Sequence, residues 1–158
     1  MTEAAEGKYF PLFMNISDKE ILFVGGGKIA ARRIDALVPF TQRITVVAPN
    51  AASSIFHLME EGELSWIIRE FEEEDLEGSD IVFATTSDPA LNEQIALMCR
   101  RRGIPVNVSS DKSLCDFYFP GIVRQGDTLI GITASGKDHA KAKRIRERIQ
   151  EILTEEGI

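Results

Sequence analysis

The sequence has only two cysteines in 158 residues, and Cys99 and Cys115 form neither a Cys-x-x-Cys pair nor part of a ligand-rich cluster. That spacing argues against a disulfide scaffold and a metal site, and both read as free thiols. No uninterrupted apolar run approaches the roughly 20 residues that a membrane-spanning helix needs. The first ten residues, MTEAAEGKYF, lack the apolar stretch of a secretory signal. A cytoplasmic protein with no membrane partner is expected. Cations are also scarce: 18 Lys and Arg stand against 25 Asp and Glu, a formal charge of −7. Sequence-independent nucleic-acid binding works by neutralising phosphates, so no nucleic-acid partner is expected either. No internal repeat or low-complexity segment is present.

What remains is ordinary globular composition, 44% hydrophobic and 27% charged. The length suits one domain with at most a small appendage. Short apolar runs rich in β-branched residues, at 21–24, 44–48, 66–68, 81–84 and 105–108, alternate with helical patterns near 29–37, 53–61 and 91–102. That alternation predicts an α/β fold with a Rossmann-like parallel sheet. The third helix is well punctuated by Asp88 as cap, Pro89 at its first position and Gly103 at its stop. Acids crowd 60–80, which reads as a solvated connector.

After Val108 the pattern changes. Residues 117–123 and 128–133 read as an antiparallel hairpin, and a basic helix over about 139–154 carries Ile145, Ile149 and Ile152 on one face. A lone hairpin is marginal in water, so this part is expected to pack on a second copy. The expected division is a nucleotide-binding domain over 1–112 and a dimerisation region over 113–158.

The chemical signal lies at Gly25-Gly26-Gly27-Lys28-Ile29-Ala30, directly after the first apolar run. Gly25, Gly27 and Ala30 match Gly-x-Gly-x-x-Gly/Ala between a strand and a helix. Gly25 allows the tight turn, Gly27 lets backbone amides approach a pyrophosphate, and the small Ala30 lets the helix sit close to the sheet. The helix N-terminus then favours the anion. The acid that usually binds the adenine ribose is missing, because Ala48 is followed by Pro49 and Asn50. Asn50 or local backbone could take its place, so charge leaves NAD against NADP open. Open α/β sheets bind ligands at strand carboxyl ends. The fourth and fifth runs end in Ala84-Thr85-Thr86-Ser87-Asp88 and Asn107-Val108-Ser109-Ser110-Asp111, and the second suits a substrate pocket.

Taken together, these stretches resemble the precorrin-2 dehydrogenase family, also seen as the front part of siroheme synthase. The resemblance rests on Tyr9-Phe10-Pro11-Leu12-Phe13, the Val24-Gly25-Gly26-Gly27 turn with Ala30-Ala31-Arg32, Thr45-Val46-Val47-Ala48-Pro49, and Ala84 to Asp88 with Leu91-Asn92. It continues through Asn107-Val108, Cys115-Asp116-Phe117-Tyr118-Phe119-Pro120 and the Gly136 loop, colinear over nearly the whole chain. It implies a homodimer that uses NAD to oxidise precorrin-2, a polycarboxylate tetrapyrrole, to sirohydrochlorin; some relatives also insert iron or cobalt. By motif position, Lys28 and Ile29 lie against the pyrophosphate, Pro49 and Asn50 against the adenosine, and Thr85, Asn107 and Val108 near the nicotinamide.

The chain departs from the family at three points. Many relatives carry Asp where Ser110 stands, Ser-Pro where Asp138-His139 stands, and a further helical segment beyond this sequence's end. Asp111 is therefore the preferred base and Ser110 its hydrogen-bonding neighbour, while a turn role for Asp111 stays open on propensity alone. His139 could serve as a base or metal ligand, although a lone loop histidine is more often neither. The basic segment 137–148 could recruit the polycarboxylate, or be a solvated face paired with Glu147 and Glu151. A non-catalytic NAD(H)-sensing module is the rival function, and metal chelation a possible addition.

Overall fold

A computed structural model describes residues 9–134 and 138–157 of the chain. The Gly136 loop and Lys137 lie outside the described residues. The contacts divide into two units, Asn15–Phe119 and a smaller one formed by Pro120–Ile158 with the described residues of Met1–Met14.

In the larger unit, β1 (Ile21–Gly26), β2 (Ile44–Ala51), β3 (Ser65–Ile67), β4 (Ile81–Ala84) and β5 (Val106–Val108) form one parallel sheet in the order β3-β2-β1-β4-β5. Helices α1 (Lys28–Leu37), α2 (Ser53–Glu60) and α3 (Pro89–Arg102) connect them. A parallel sheet needs cover on both faces, and strand alternation provides for it. Phe23, Val46 and Phe83 pack with Ile34 and Leu37 of α1 and Ile55 of α2. Leu22, Val47, Val82 and Val106 pack with Ile95, Ala96 and Cys99 of α3. Each fully buried Phe, Ile or Val contributes about 1.5–3 kcal/mol, so the sheet is a rigid base for whatever its edge carries. The expected α/β architecture is the observed one.

The third helix behaves as its punctuation predicts. Asp88 Oδ1 accepts from the Ala90 amide at 2.9 Å, Pro89 opens the helix, and Gly103 closes it in the left-handed region at φ 70°. The acidic stretch departs from a plain solvated connector. A 3-10 turn at Glu73–Leu76 buries Leu76 completely, and Arg69 makes two bonds to Asp75, at 2.6 and 2.8 Å. The reason is the uncovered face beside β1 and β2, where Leu76 and the partly buried Phe71 of the connector take the place of a helix.

The expected hairpin starts later than its sequence pattern, at Gly121 rather than 117. Residues 116–119 are drawn onto the parallel sheet instead. The Val106 amide donates to Asp116 Oδ2 at 2.9 Å, Asp116 N–H donates to the Val106 carbonyl at 2.9 Å, and Phe117 and Phe119 set their rings edge-on to Phe83. Residues 113–119 thus group with the sheet, and the change of unit falls at Phe119.

In the smaller unit, β6 (Gly121–Gln125) and β7 (Thr128–Ile132) pair antiparallel around Gly126-Asp127, and α4 (His139–Glu156) follows, capped by Asp138. α4 contacts both strands, yet none of its residues is buried, and Ile145 is 41% exposed. Several of its cations pair with its own acids: Lys143 and Arg146 with Glu147, and Arg148 with Glu151.

Candidate functional site

The exits of β2, β1, β4 and β5 lie side by side along one edge of the sheet. β1 ends in the glycine turn. Gly25 takes φ +101°, and a Cβ there would lie 2.7 Å from the Thr85 carbonyl carbon and oxygen and 2.8 Å from the Thr86 amide. Glycine at 25 is therefore a demand of the fold, because β4's exit crosses directly against it. Gly26 pairs with Ala51 and accepts from the Ala52 amide at 2.8 Å, extending β2 through Pro49 and Asn50, both exposed beside the turn.

Gly27 is different. It caps α1 with φ −76° and ψ −171°, a conformation open to any residue, and a Cβ there would meet nothing within 4 Å. The fold does not require glycine at 27. The amides of Gly27, Lys28, Ile29 and Ala30 have no partner within the helix, the first turn holds no acid, and no side chain caps it. Lys28 is exposed, Ile29 leaves 42% of its surface open, and Ala30 is fully buried against the sheet, as close helix packing needs. Open space before free amides, at the positive end of a helix with a lysine in its first turn, fits a diphosphate. The residues present therefore suit a dinucleotide.

Thr85 and Asn107 are held more tightly than a ligand-facing reading anticipates. Thr85 Oγ1 donates between the Val24 and Gly25 carbonyls, at 3.0 and 3.1 Å, pinning β4's exit to the turn. Asn107 is 2% exposed; its Oδ1 accepts from Arg33 Nη1 at 2.7 Å and its Nδ2 donates to the Phe117 carbonyl at 2.7 Å. Val108 is buried, its amide donating to Cys115 Sγ. These three residues build the wall behind the edge. Asp111 caps a 3-10 turn at Lys112–Leu114, its Oδ1 accepting from the Ser113 amide and hydroxyl at 2.8 and 2.7 Å. Those bonds hold its carboxyl below the usual range. Ser110 is exposed beside it and accepts from Asn92.

Two residues lacked an assigned role in the sequence. Asn92 is completely buried and ties β4's exit to β5's. Its signal was a polar residue in the apolar spacing Asn92, Ile95, Ala96, Cys99. Arg33 lies over Phe83 and Phe119, 5.8 and 5.6 Å from their ring centroids, with its Nε buried and without a partner among the described residues. Burial, and then repulsion from Arg32, lower its pKa to about 10, while the rings offset part of the desolvation. A cavity of about 400 Å³ lies elsewhere, at the start of β1, lined by Glu20, Glu74, Asp75 and Glu77 among others. It includes no residue from the exits of β1, β2, β4 or β5.

Sheet order, glycine turn and open helix terminus define a nucleotide-binding protein of the Rossmann type. The family model NAD_binding_7, described as "Putative NAD(P)-binding", matches residues 12–121, and the chain belongs to that family. It is 36% identical over 142 residues to siroheme synthase of Methylococcus capsulatus, covering 90% of this chain and 30% of that protein. It is 37% identical over 145 residues to siroheme synthase of Photorhabdus laumondii, covering 92% and 31%. The chain thus spans about 30% of the length of these curated relatives. A solved structure of SirC, a precorrin-2 dehydrogenase, superposes with a TM-score of 0.76 at 26% identity, covering 90% of this chain and 70% of that one.

Proposed function

We propose that this chain oxidises precorrin-2 to sirohydrochlorin with NAD as hydride acceptor. The observation that carries the reading is the match of 90% of the chain to a precorrin-2 dehydrogenase. The open cradle at Gly27 gives it a physical basis. In this reading, the free amides at the start of α1, with Lys28 and Ile29, hold the diphosphate, and Pro49 and Asn50 flank the adenosine. Thr85, Asn107 and Val108 shape the wall on the nicotinamide side through their backbone and packing. NAD, when bound, supplies the oxidising half of the reaction by accepting the hydride. The substrate also loses a proton, and in this reading Asp111, an exposed carboxylate just beyond the end of β5, receives it. Steady-state NADH formation that requires precorrin-2 tests the function.

The role of Asp111 has its own test. Asp111→Asn is expected to slow single-turnover oxidation by roughly 100-fold or more, the usual lower range for a lost general base, with NAD affinity unchanged. An unchanged rate, with chemistry shown to be limiting, assigns the proton to solvent and leaves Asp111 as a cap.

We also infer that the smaller unit makes the chain a homodimer. An 18-residue helix with no buried residue, together with Phe10, Leu12 and Phe13 at 85, 76 and 69% exposure in the same unit, leaves apolar surface that a second copy would cover. Ile145→Asp with Ile149→Asp is expected to convert dimers to monomers in sedimentation; a parent chain monomeric at micromolar concentration would contradict this.

A further inference from the structure

The side-chain amide of Asn92 has its orientation fixed by one neighbouring residue. Thr86 N–H donates to Oδ1 at 3.1 Å, and Nδ2 donates to the Thr86 carbonyl at 3.1 Å. A backbone N–H can only donate and a carbonyl can only accept, so the oxygen and nitrogen ends cannot be exchanged. Thr86 Oγ1 fills the second position on Oδ1 at 2.7 Å. The remaining Nδ2 proton goes to Ser110 Oγ at 3.1 Å. All four hydrogen-bonding positions of this fully buried side chain are therefore in use.

One consequence falls on Ser110. Its oxygen accepts from Asn92, so its own proton is turned elsewhere, and Ser110 donates no side-chain hydrogen bond among the described residues. Ser110 is exposed, two residues beyond the end of β5. β5 is the second strand from β1, so at 4.7–4.9 Å per strand its exit lies roughly 10 Å from the glycine turn. With the diphosphate cradle on β1 and the adenosine side toward β2, the exit of β5 is the far, reacting end of the edge.

We propose that Ser110 binds the substrate by donating its hydroxyl proton to one of the substrate's carboxylates, and that Asn92 is the positioning residue that holds Ser110 as a donor. The proposal rests on the reading of the chain as a precorrin-2 dehydrogenase. A hydroxyl suits the task because a hydrogen bond to a carboxylate is charge-assisted, and a neutral donor adds nothing to the negative charge already present at Asp111.

Ser110→Ala, Ser110→Thr and Ser110→Asp separate the alternatives by anaerobic kinetics with precorrin-2 and calorimetric titration with NAD. Ser110 is exposed, so these variants test the idea whether or not substitutions at buried Asn92 fold. Ser110→Ala is expected to raise KM for precorrin-2 about tenfold with kcat nearly unchanged and NAD affinity intact. Ser110→Thr restores most of the lost affinity. Ser110→Asp keeps the bond from Asn92, offers an acceptor in place of the donor, and raises KM beyond that of Ser110→Ala. In a folded Asn92→Ala chain the KM effect matches that of Ser110→Ala, and the double variant adds nothing further. A higher kcat or lower KM in Ser110→Asp, weakened NAD binding in Ser110→Ala, or an unchanged KM in Ser110→Ala would each overturn the proposal while leaving the dehydrogenase reading in place. A parent chain that binds NAD but leaves precorrin-2 unoxidised overturns both.

Discussion

Gly27→Asp should fold at least as well as the parent chain and lose its cofactor. The backbone at 27 is ordinary and the space beside it open, so no strain opposes the substitution. Aspartate is a better helix cap than glycine by a few tenths of a kcal/mol, and its charge at the N-terminus of α1 adds about 0.3–1 kcal/mol. The same carboxylate would occupy the cradle and meet a diphosphate as a like charge on the amides that should receive it. NAD affinity is expected to fall at least about 100-fold, or about 2.8 kcal/mol at 1.4 kcal/mol per tenfold. Thermal unfolding and calorimetric titration read the two effects separately. A stable variant with parental NAD affinity would remove the cofactor from this turn.

Gly25→Ala should do the opposite two residues away. A methyl group there would stand 2.7 Å from backbone carbon and oxygen of Thr85, at φ +101°. Overpacking against backbone costs about 1–3 kcal/mol, and the strained conformation costs a similar amount again. The expected loss is roughly 2–6 kcal/mol of folding stability, visible in denaturant unfolding as a lower midpoint. Cofactor binding then weakens because the turn itself is displaced. A Gly25→Ala chain of parental stability would show that β4's exit does not cross the turn this closely. Read together, the two variants separate a glycine that the fold requires from one that the fold leaves free.

The edge of the sheet was legible in the sequence because its signals are local. A strand, a Gly-x-Gly turn and a helix follow one another between Ile21 and Leu37, and Asp88, Pro89 and Gly103 punctuate α3 without help from distant residues. The start of the hairpin was not legible, because residues 117–119 look like strand and are claimed instead by Asn107 and Phe83, at least ten residues earlier in the chain. Thr85, Asn107 and Asp111 show a related limit. Position in the chain placed them at strand exits, but only the fold shows which of their polar atoms are already engaged. Asn92 and Arg33 each sit in an apolar helical stripe, and pattern alone does not reveal the strand-end groups that they hold.

Excess chain mixed with precorrin-2 and NAD under anaerobic conditions, with NADH and the tetrapyrrole spectrum followed in the same single turnover, is expected to form one NADH for each precorrin-2 converted to sirohydrochlorin. Both signals should be lost in Gly27→Asp. NAD bound at the glycine turn, with precorrin-2 unchanged and no NADH formed, would show that the chain is not a precorrin-2 dehydrogenase.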